Sequence, residues 1–329
     1  MSEFQLNTPV VLIIFNRPDT TKKVFAEIAK AKPSKLLIIA DGPRSNRIGE
    51  VERCLATRAI VDNVDWPCEV LTNYSDINLG CKCRVSSGLD WVFQQVPEAI
   101  ILEDDCLPEP SFFRFCEELL IRYRDDESVA MISGNNFQFG ENRGDASYYF
   151  SRYTHIWGWA TWGRAWKYYD VEAKDWADFL SENWLKSFFY NVTEKKYWTN
   201  IFQSVADGKI DTWDYQWTMA AWRNHMVSIV PNFNLISNIG FGVDATHTFG
   251  SSIFNQMPVD RMTFPLVHPR FSFTNKEADL YTEEIMFSGA RGGYLKQIGR
   301  NLIKIIFPKS WVNYWLSKKL SEMIFSLKR

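Results

Sequence analysis

Paired cysteines, histidine clusters, a glycine-rich phosphate loop and long apolar runs are all missing from this chain, and each absence closes off a class of function. The six cysteines, at positions 54, 68, 81, 83, 106 and 116, never fall in C-x-x-C spacing, and there are only four histidines. A structural zinc site is therefore not expected. Cys81-Lys82-Cys83 is too tightly spaced for an easy disulfide, so free thiols in a reducing compartment are the expectation. The chain opens on polar Met1-Ser2-Glu3, and its first apolar run, Val10 to Phe15, is far too short to cross a bilayer, which points to a cytoplasmic protein. A formal net charge of −2 gives the chain no overall basic excess with which to hold nucleic acid. Internal repeats and low-complexity linkers are also lacking, so the two halves of the chain are expected to share a core.

What is present is a folded composition, 46% hydrophobic, with an excess of aromatic residues that includes 14 tryptophans. Aromatic rings are the usual platforms for flat amphipathic ligands such as sugars. Charge is unevenly spread. Residues 291–329 carry nine Lys or Arg against the single Glu322, which leaves the preceding body near −10.

In the first third, Val10–Phe15, Leu36–Ala40, Glu69–Thr72 and Ala99–Leu102 read as strands, each followed by helix-like sequence. Phe25, Ile28 and Ala29 share one helical face, Val51, Cys54 and Leu55 another, and a third helical segment begins near Cys81. Alternation of this kind predicts an α/β fold, a mostly parallel sheet flanked by helices. A helix over Ser111–Tyr123, a strand over Val129–Ser133 and a Trp- and Tyr-rich stretch to His247 follow. The expected organisation is a catalytic domain over 1–289, with a nucleotide-binding half at 1–105 and an acceptor half at 106–250. A basic, amphipathic, helical C-terminal extension over 290–329 completes it, with Leu295, Ile298, Leu302 and Ile306, then Val312, Leu316, Leu320 and Ile324, on its apolar stripes.

In open parallel sheets the ligand sits beyond the carboxyl ends of the strands. There the sequence turns polar: Phe15-Asn16-Arg17-Pro18-Asp19 after the first strand, Asp41-Gly42-Pro43-Arg44 after the second, Glu103-Asp104-Asp105 after the fourth. Three adjacent carboxylates repel one another unless a cation relieves them. A hard divalent ion, Mn2+ or Mg2+, together with diphosphate oxygens is the natural partner. A solvated acidic turn is the plainer alternative.

The order FNRPDTT, ADGPR, NLGCKCRVSSGLDW and ILEDDCLPEPSFFRF resembles glycosyltransferases of the A-type fold. It is most similar to the N-acetylglucosaminyltransferase I group and to bacterial nucleotide-diphospho-sugar transferases. Gly158-Trp159-Ala160, Trp213-Asp214-Tyr215-Gln216-Trp217 and Asn238 to His247 follow in the family's order, so the resemblance covers roughly residues 9–250. It implies that Asp105 binds the metal and that Glu103 and Asp104 face the ribose and sugar. It further implies that Phe15, Asn16 and Arg17 line the nucleotide pocket, that Asp41 reads the base, and that Arg84 lies near the diphosphate or donor sugar. His247 matches the place where many A-type enzymes put a histidine near the diphosphate or metal, although Thr248 follows it here where the relatives commonly have Gly. The implied donor is a nucleotide sugar, most commonly a UDP-sugar, the acceptor a saccharide or lipid-linked saccharide, and the stereochemistry inverting.

Sugar transfer also needs a base for the acceptor hydroxyl. Asp214, between Trp213 and Trp217, is the candidate, since aromatic walls desolvate a carboxylate and raise its basicity. Asp211 is its nearest rival, and a helix-start carboxylate the plainer alternative. Trp157, Trp159, Trp162 and Trp166 alternate with small residues, and the first three are candidate acceptor-binding platforms, with core packing as their alternative. The basic tail suits an anionic membrane surface, or else serves as a clamp closing on the body. Two other functions remain open: a sugar nucleotidyltransferase, against which the glycine-free Asn16-Arg17-Pro18-Asp19 turn speaks, and a non-catalytic carbohydrate-binding protein on the same fold.

Overall fold

The computed structural model describes residues 4–181, 188–241 and 253–287. The expected tail over 290–329 and His247 lie outside the described residues.

Strand and helix alternate through the first half as β1 (Val10–Ile14), α1 (Pro18–Ala31), β2 (Lys35–Ala40), α2 (Glu50–Val61), β3 (Glu69–Tyr74), α3 (Gly80–Gln95) and β4 (Glu98–Glu103). Then come β5 (Cys106–Pro108), α4 (Ser111–Arg122), β6 (Val129–Ser133), β7 (Tyr148–Ser151), β8 (Trp159–Trp162), α5 (Gly163–Trp166) and α6 (Trp176–Ser181). The last described elements are α7 (Val192–Ala206), α8 (Asp214–Arg223), β9 (Val227–Pro231), β10 (Ile236–Asn238) and α9 (Lys276–Met286). Eight strands form one sheet in the order β3-β2-β1-β4-β8-β6-β9-β7. β8 runs antiparallel to both β4 and β6, and β7 antiparallel to β9, while the other neighbours are parallel. This is the mostly parallel, helix-flanked α/β fold that the sequence pattern predicts, and its eight-stranded sheet joins both halves of the chain, with β10 and β5 pairing separately.

Because successive side chains point to opposite faces, β1, β2 and β4 feed two separate cores. Val10, Leu12, Ile14, Leu36, Ile38, Ile100 and Leu102 pack under α1 and α4. Val11, Ile13, Leu37, Ile39, Ala99 and Ile101 pack under α3 and α8. All five residues of β1 are buried, so a truncation such as Leu12→Ala opens a cavity costing about 2–5 kcal/mol. A third, aromatic core joins α6, α7 and α8 through Trp176, Phe179, Trp198, Phe202 and Trp222.

One helical face differs from expectation. On α2 the buried positions are Glu50, Cys54, Thr57 and Val61, while Val51 and Leu55 are 50% and 59% exposed. The helix is turned by Glu50, whose carboxylate accepts from the Arg44 guanidinium and amide and from Asn16 Nδ2. A buried, hydrogen-bonded ion pair outweighs the apolar periodicity there.

Candidate active site

The sheet order fixes where the crevice lies. From β1 the chain steps to β2 and β3 on one side and returns to β4 on the other, so the switch point is the gap between the carboxyl ends of β1 and β4. Pairing of Ile13 with Glu103 puts Phe15-Asn16-Arg17 beside Asp104-Asp105. The Phe15 amide donates to Asp104 Oδ2 at 3.2 Å.

Arg17 is the cation of the acidic triplet. Its carbonyl accepts from Thr21 N at the start of α1, where Pro18 presets the first turn, and its guanidinium reaches back across the gap. Arg17 Nη1 lies 2.6 Å from Asp105 Oδ2 and 3.6 Å from Asp104 Oδ1. One guanidinium cannot neutralise three carboxylates. Burial, with Asp105, Asp104 and Asp214 adding repulsion against Arg17, pushes Glu103 well above the usual carboxylate range. Asp104 is raised too, by burial first, with the Arg17 charge opposing.

Asp41, just after β2, is buried and hydrogen-bonded within the fold. One of its carboxylate oxygens accepts from the Gly42 and Leu79 amides, the other from the Gly80 amide and Asn78 Nδ2, at 2.9–3.2 Å. Four donors meet its two oxygens, so it organises the Asn78–Gly80 turn. Arg84 is likewise buried and donates to the Asn73 carbonyl and side chain on β3, with its Nε unpartnered, so these bonds tie α3 to β3 and not to the triplet. Asn16 turns away to Glu50, leaving Phe15, with the Arg44 guanidinium 5.4 Å from its ring centroid, as the half-exposed wall.

Asp214 is the first residue of α8, half-buried, and accepts from the Thr212 hydroxyl. Its charge is felt at Glu103, so the candidate base and the triplet share one electrostatic environment. The tryptophans beside it do not wall the cleft. Trp213 and Trp217 are 2% and 0% exposed in the core beneath α3 and α8, where Trp213 stacks on Trp159 with centroids 5.6 Å apart. Trp159 and Trp162 are therefore core residues and not acceptor platforms: Trp159 is fully buried, and Trp162 donates its Nε1 to the Leu120 carbonyl. Period-2 alternation on β8 sends them to opposite faces of the sheet, both of which are covered. Trp166 is buried as well, face to face with Tyr169 at 4.2 Å.

Trp157 is half-buried at the rim, edge-on to Phe137 at 5.1 Å and to Phe241 at 5.9 Å. Antiparallel pairing of β10 with β5 brings the segment after Asn238 directly onto the triplet. Ile239 N donates to the Asp105 carbonyl at 2.8 Å, and a Cβ on Gly240 would lie 2.0 Å from Asp105 Oδ2. Only glycine fits there, a constraint that no local sequence pattern announces.

Among the described residues no three His, Cys, Asp or Glu side chains converge as a complete metal cage. The donor set nonetheless fits a hard divalent ion of the Mg2+ or Mn2+ type, which takes one or two carboxylates and completes its shell with phosphate oxygens and water. Asp105, paired with the Arg17 guanidinium, is the carboxylate that would hold it.

No family model matches the sequence, and no curated protein matches it. Among solved structures, S. aureus TarS 1–349 is similar with a TM-score of 0.38 and 11% identity over 68% of this chain and 58% of that one. UDP-glucose pyrophosphorylase complexed with UDP-glucose gives 0.33 and 8% over 68% and 90%. Its apo form gives 0.33 and 9% over 70% and 93%. The chain thus spans little more than half of the TarS structure, and scores of this size carry no argument about activity.

Proposed function

We propose that this protein is an inverting, metal-assisted glycosyltransferase that moves a sugar from a nucleotide-diphosphate donor, a UDP-sugar, to a saccharide hydroxyl. The observation that carries the reading is the triplet Glu103-Asp104-Asp105 at the switch point of the sheet, paired with Arg17 among the described residues and within electrostatic reach of Asp214. Phe15 and Arg17 line the nucleotide side, Arg17 supplying positive charge to the diphosphate, and Glu103 and Asp104 face ribose and sugar. Asp105 would hold the divalent ion, which would supply charge neutralisation for the leaving diphosphate. Asp214 takes the proton of the acceptor hydroxyl as its oxygen bonds to the anomeric carbon. The bond from that carbon to the phosphate oxygen breaks with its electron pair leaving on the diphosphate, and the single displacement inverts configuration.

Trp157, half-buried beside Phe137 and Phe241, is the tryptophan assigned to stack on an acceptor. The basic tail would bring the site to an anionic membrane surface, where lipid-linked saccharides reside. Hydrolysis of a panel of UDP-, GDP- and dTDP-sugars with Mn2+ tests the reading, with the anomer first released followed by proton coupling constants. Mn2+-dependent release of the inverted anomer supports it. Pyrophosphorolysis of the same sugar nucleotides without sugar release would favour a nucleotidyltransferase, and neither reaction a binding protein.

A further inference from the structure

The segment Asn78 to Lys82 is held from two sides. On the nucleotide side, Asp41 takes Asn78 Nδ2 and the Leu79 and Gly80 amides. On the other side, Asp211 takes the next two amides, Cys81 N at 3.3 Å and Lys82 N at 2.9 Å, the opening turn of α3. Four consecutive backbone amides are thus divided between two carboxylates 170 positions apart in sequence. Gly80 makes this possible, with φ of +78° and a Cβ position only 2.9 Å from Asp211 Oδ2. A second tie runs in parallel, Lys82 Nζ to Glu172 at 3.2 Å.

Asp211 stands three residues before Asp214 in the turn that leads into α8. Within that turn the Thr212 hydroxyl donates to Asp214 and the Thr212 carbonyl accepts from Gln216 Nε2 at 2.8 Å. Anchoring Asp211 on α3 therefore fixes the start of the turn, and the turn fixes the carboxylate of Asp214. Cys81, at the meeting point, feels the charges of Glu103, Asp214, Asp211 and Asp41, so the first turn of α3 lies where the donor and acceptor sides converge. Each Asp211 oxygen accepts from one of these amides, which ties the carboxylate to α3.

We infer that Asp211 is a positioning residue that locks the candidate base Asp214 onto the donor half through the amino end of α3. The inference rests on the reading of Asp214 as base. Asp211→Ala releases both amides and lets the turn drift, and misplacing a reacting group by about 1 Å costs on the order of 10²-fold in rate. The donor turn is still gripped by Asp41, so donor KM stays within about 2-fold. Asn keeps one accepting oxygen and sets an NH2 against the other amide, so Asp211→Asn falls between Ala and the wild type. Gly80→Ala keeps the carboxylate but pushes it off, and reproduces the loss from the opposite side.

The test is Mn2+-dependent UDP-sugar hydrolysis by the full chain, reading kcat and KM for wild type, Asp211→Asn, Asp211→Ala, Gly80→Ala, Asp214→Asn and the double variant Asp211→Ala/Asp214→Asn. Circular dichroism confirms which variants are folded, and Asp211→Asn serves if Asp211→Ala is not. The expected result is a graded fall in kcat at constant KM that vanishes, to less than about 2-fold, once Asp214 is already Asn. An equal fall in both backgrounds, or a rise in KM with kcat unchanged, overturns the positioning role while leaving the base assignment standing. Undiminished kcat in Asp214→Asn removes the base assignment itself, and this inference with it.

Discussion

Two clusters of three carboxylates around one arginine lie in this protein, and they are built to opposite ends. At the rim, Glu103, Asp104 and Asp105 face Arg17, helped by the single amide of Phe15. In the interior, Glu194, Asp279 and Glu283 surround Arg152, all buried, and nearly every donor nearby is spent on them. Tyr153 Oη is 3.0 Å from Glu194 and 2.6 Å from Glu283, Trp198 Nε1 donates to Glu283 at 3.1 Å, Ser151 Oγ to Asp279 at 2.6 Å and the Tyr190 amide to Glu194 at 2.7 Å. The interior carboxylates are met by protein donors, although Arg152 Nε has no partner, and they tie α7 and α9 to the end of β7. Its rim counterpart is met, among the described residues, by fewer donors: the Arg17 guanidinium, the Phe15 amide and Cys106 Sγ. Composition alone does not separate structural glue from a ligand site; the count of hydrogen-bond donors does.

The comparison breaks first at Arg152. Arg152→Ala leaves Glu194 buried and uncompensated, which should cost about 3–5 kcal/mol, seen as a fall in urea midpoint at constant m-value. A loss under about 1 kcal/mol would mean that the interior cluster is not the brace its geometry implies.

Next in size is a pH effect in the same cluster. Burial raises Asp279 to about 6, so its folded state holds a proton more tightly than the unfolded chain does. That contribution to stability is fully present below the ordinary aspartate value near 4 and is lost as pH rises through about 6. Asp279→Asn, neutral throughout, should flatten this part of the melting-temperature profile between pH 4 and 6. An unchanged slope assigns the titration elsewhere.

Smallest of all is the stability effect of Arg17→Ala, on the order of 1 kcal/mol, because carboxylates at the rim can take up water or protons when their cation is removed. Added Mn2+ should raise the melting temperature of Arg17→Ala more than that of the wild type, whose guanidinium competes for Asp105. A destabilisation as large as that of Arg152→Ala would erase the distinction between the two clusters.

The first half was legible in the sequence because β1, β2 and β4, buried on both faces, are unbroken apolar runs, and the more exposed β3 continues the same strand-helix alternation. All four fall within about two residues of the expected bounds at each end. The triplet's position followed from the same alternation. What stayed hidden depends on partners distant in sequence. The tryptophans of β8 look the same whether they line a cleft or fill two cores, and only the reversal of β8 between β4 and β6 covers both their faces. Asp41 and Asp211 read as free carboxylates until the fold delivers four amides to them. Arg84 lies in a recognisable motif, yet its fork is taken by Asn73 across the neighbouring strand.

The central claim, that Glu103-Asp104-Asp105 is a nucleotide-diphosphate site completed by a metal, is tested most directly by isothermal titration of UDP into the protein with and without Mn2+, for wild type and Asp105→Ala. The account predicts binding by the wild type that needs the metal and an Asp105→Ala variant that is folded, melts within a few degrees of wild type and binds no UDP with Mn2+. Metal-dependent UDP affinity that survives Asp105→Ala unchanged would contradict it.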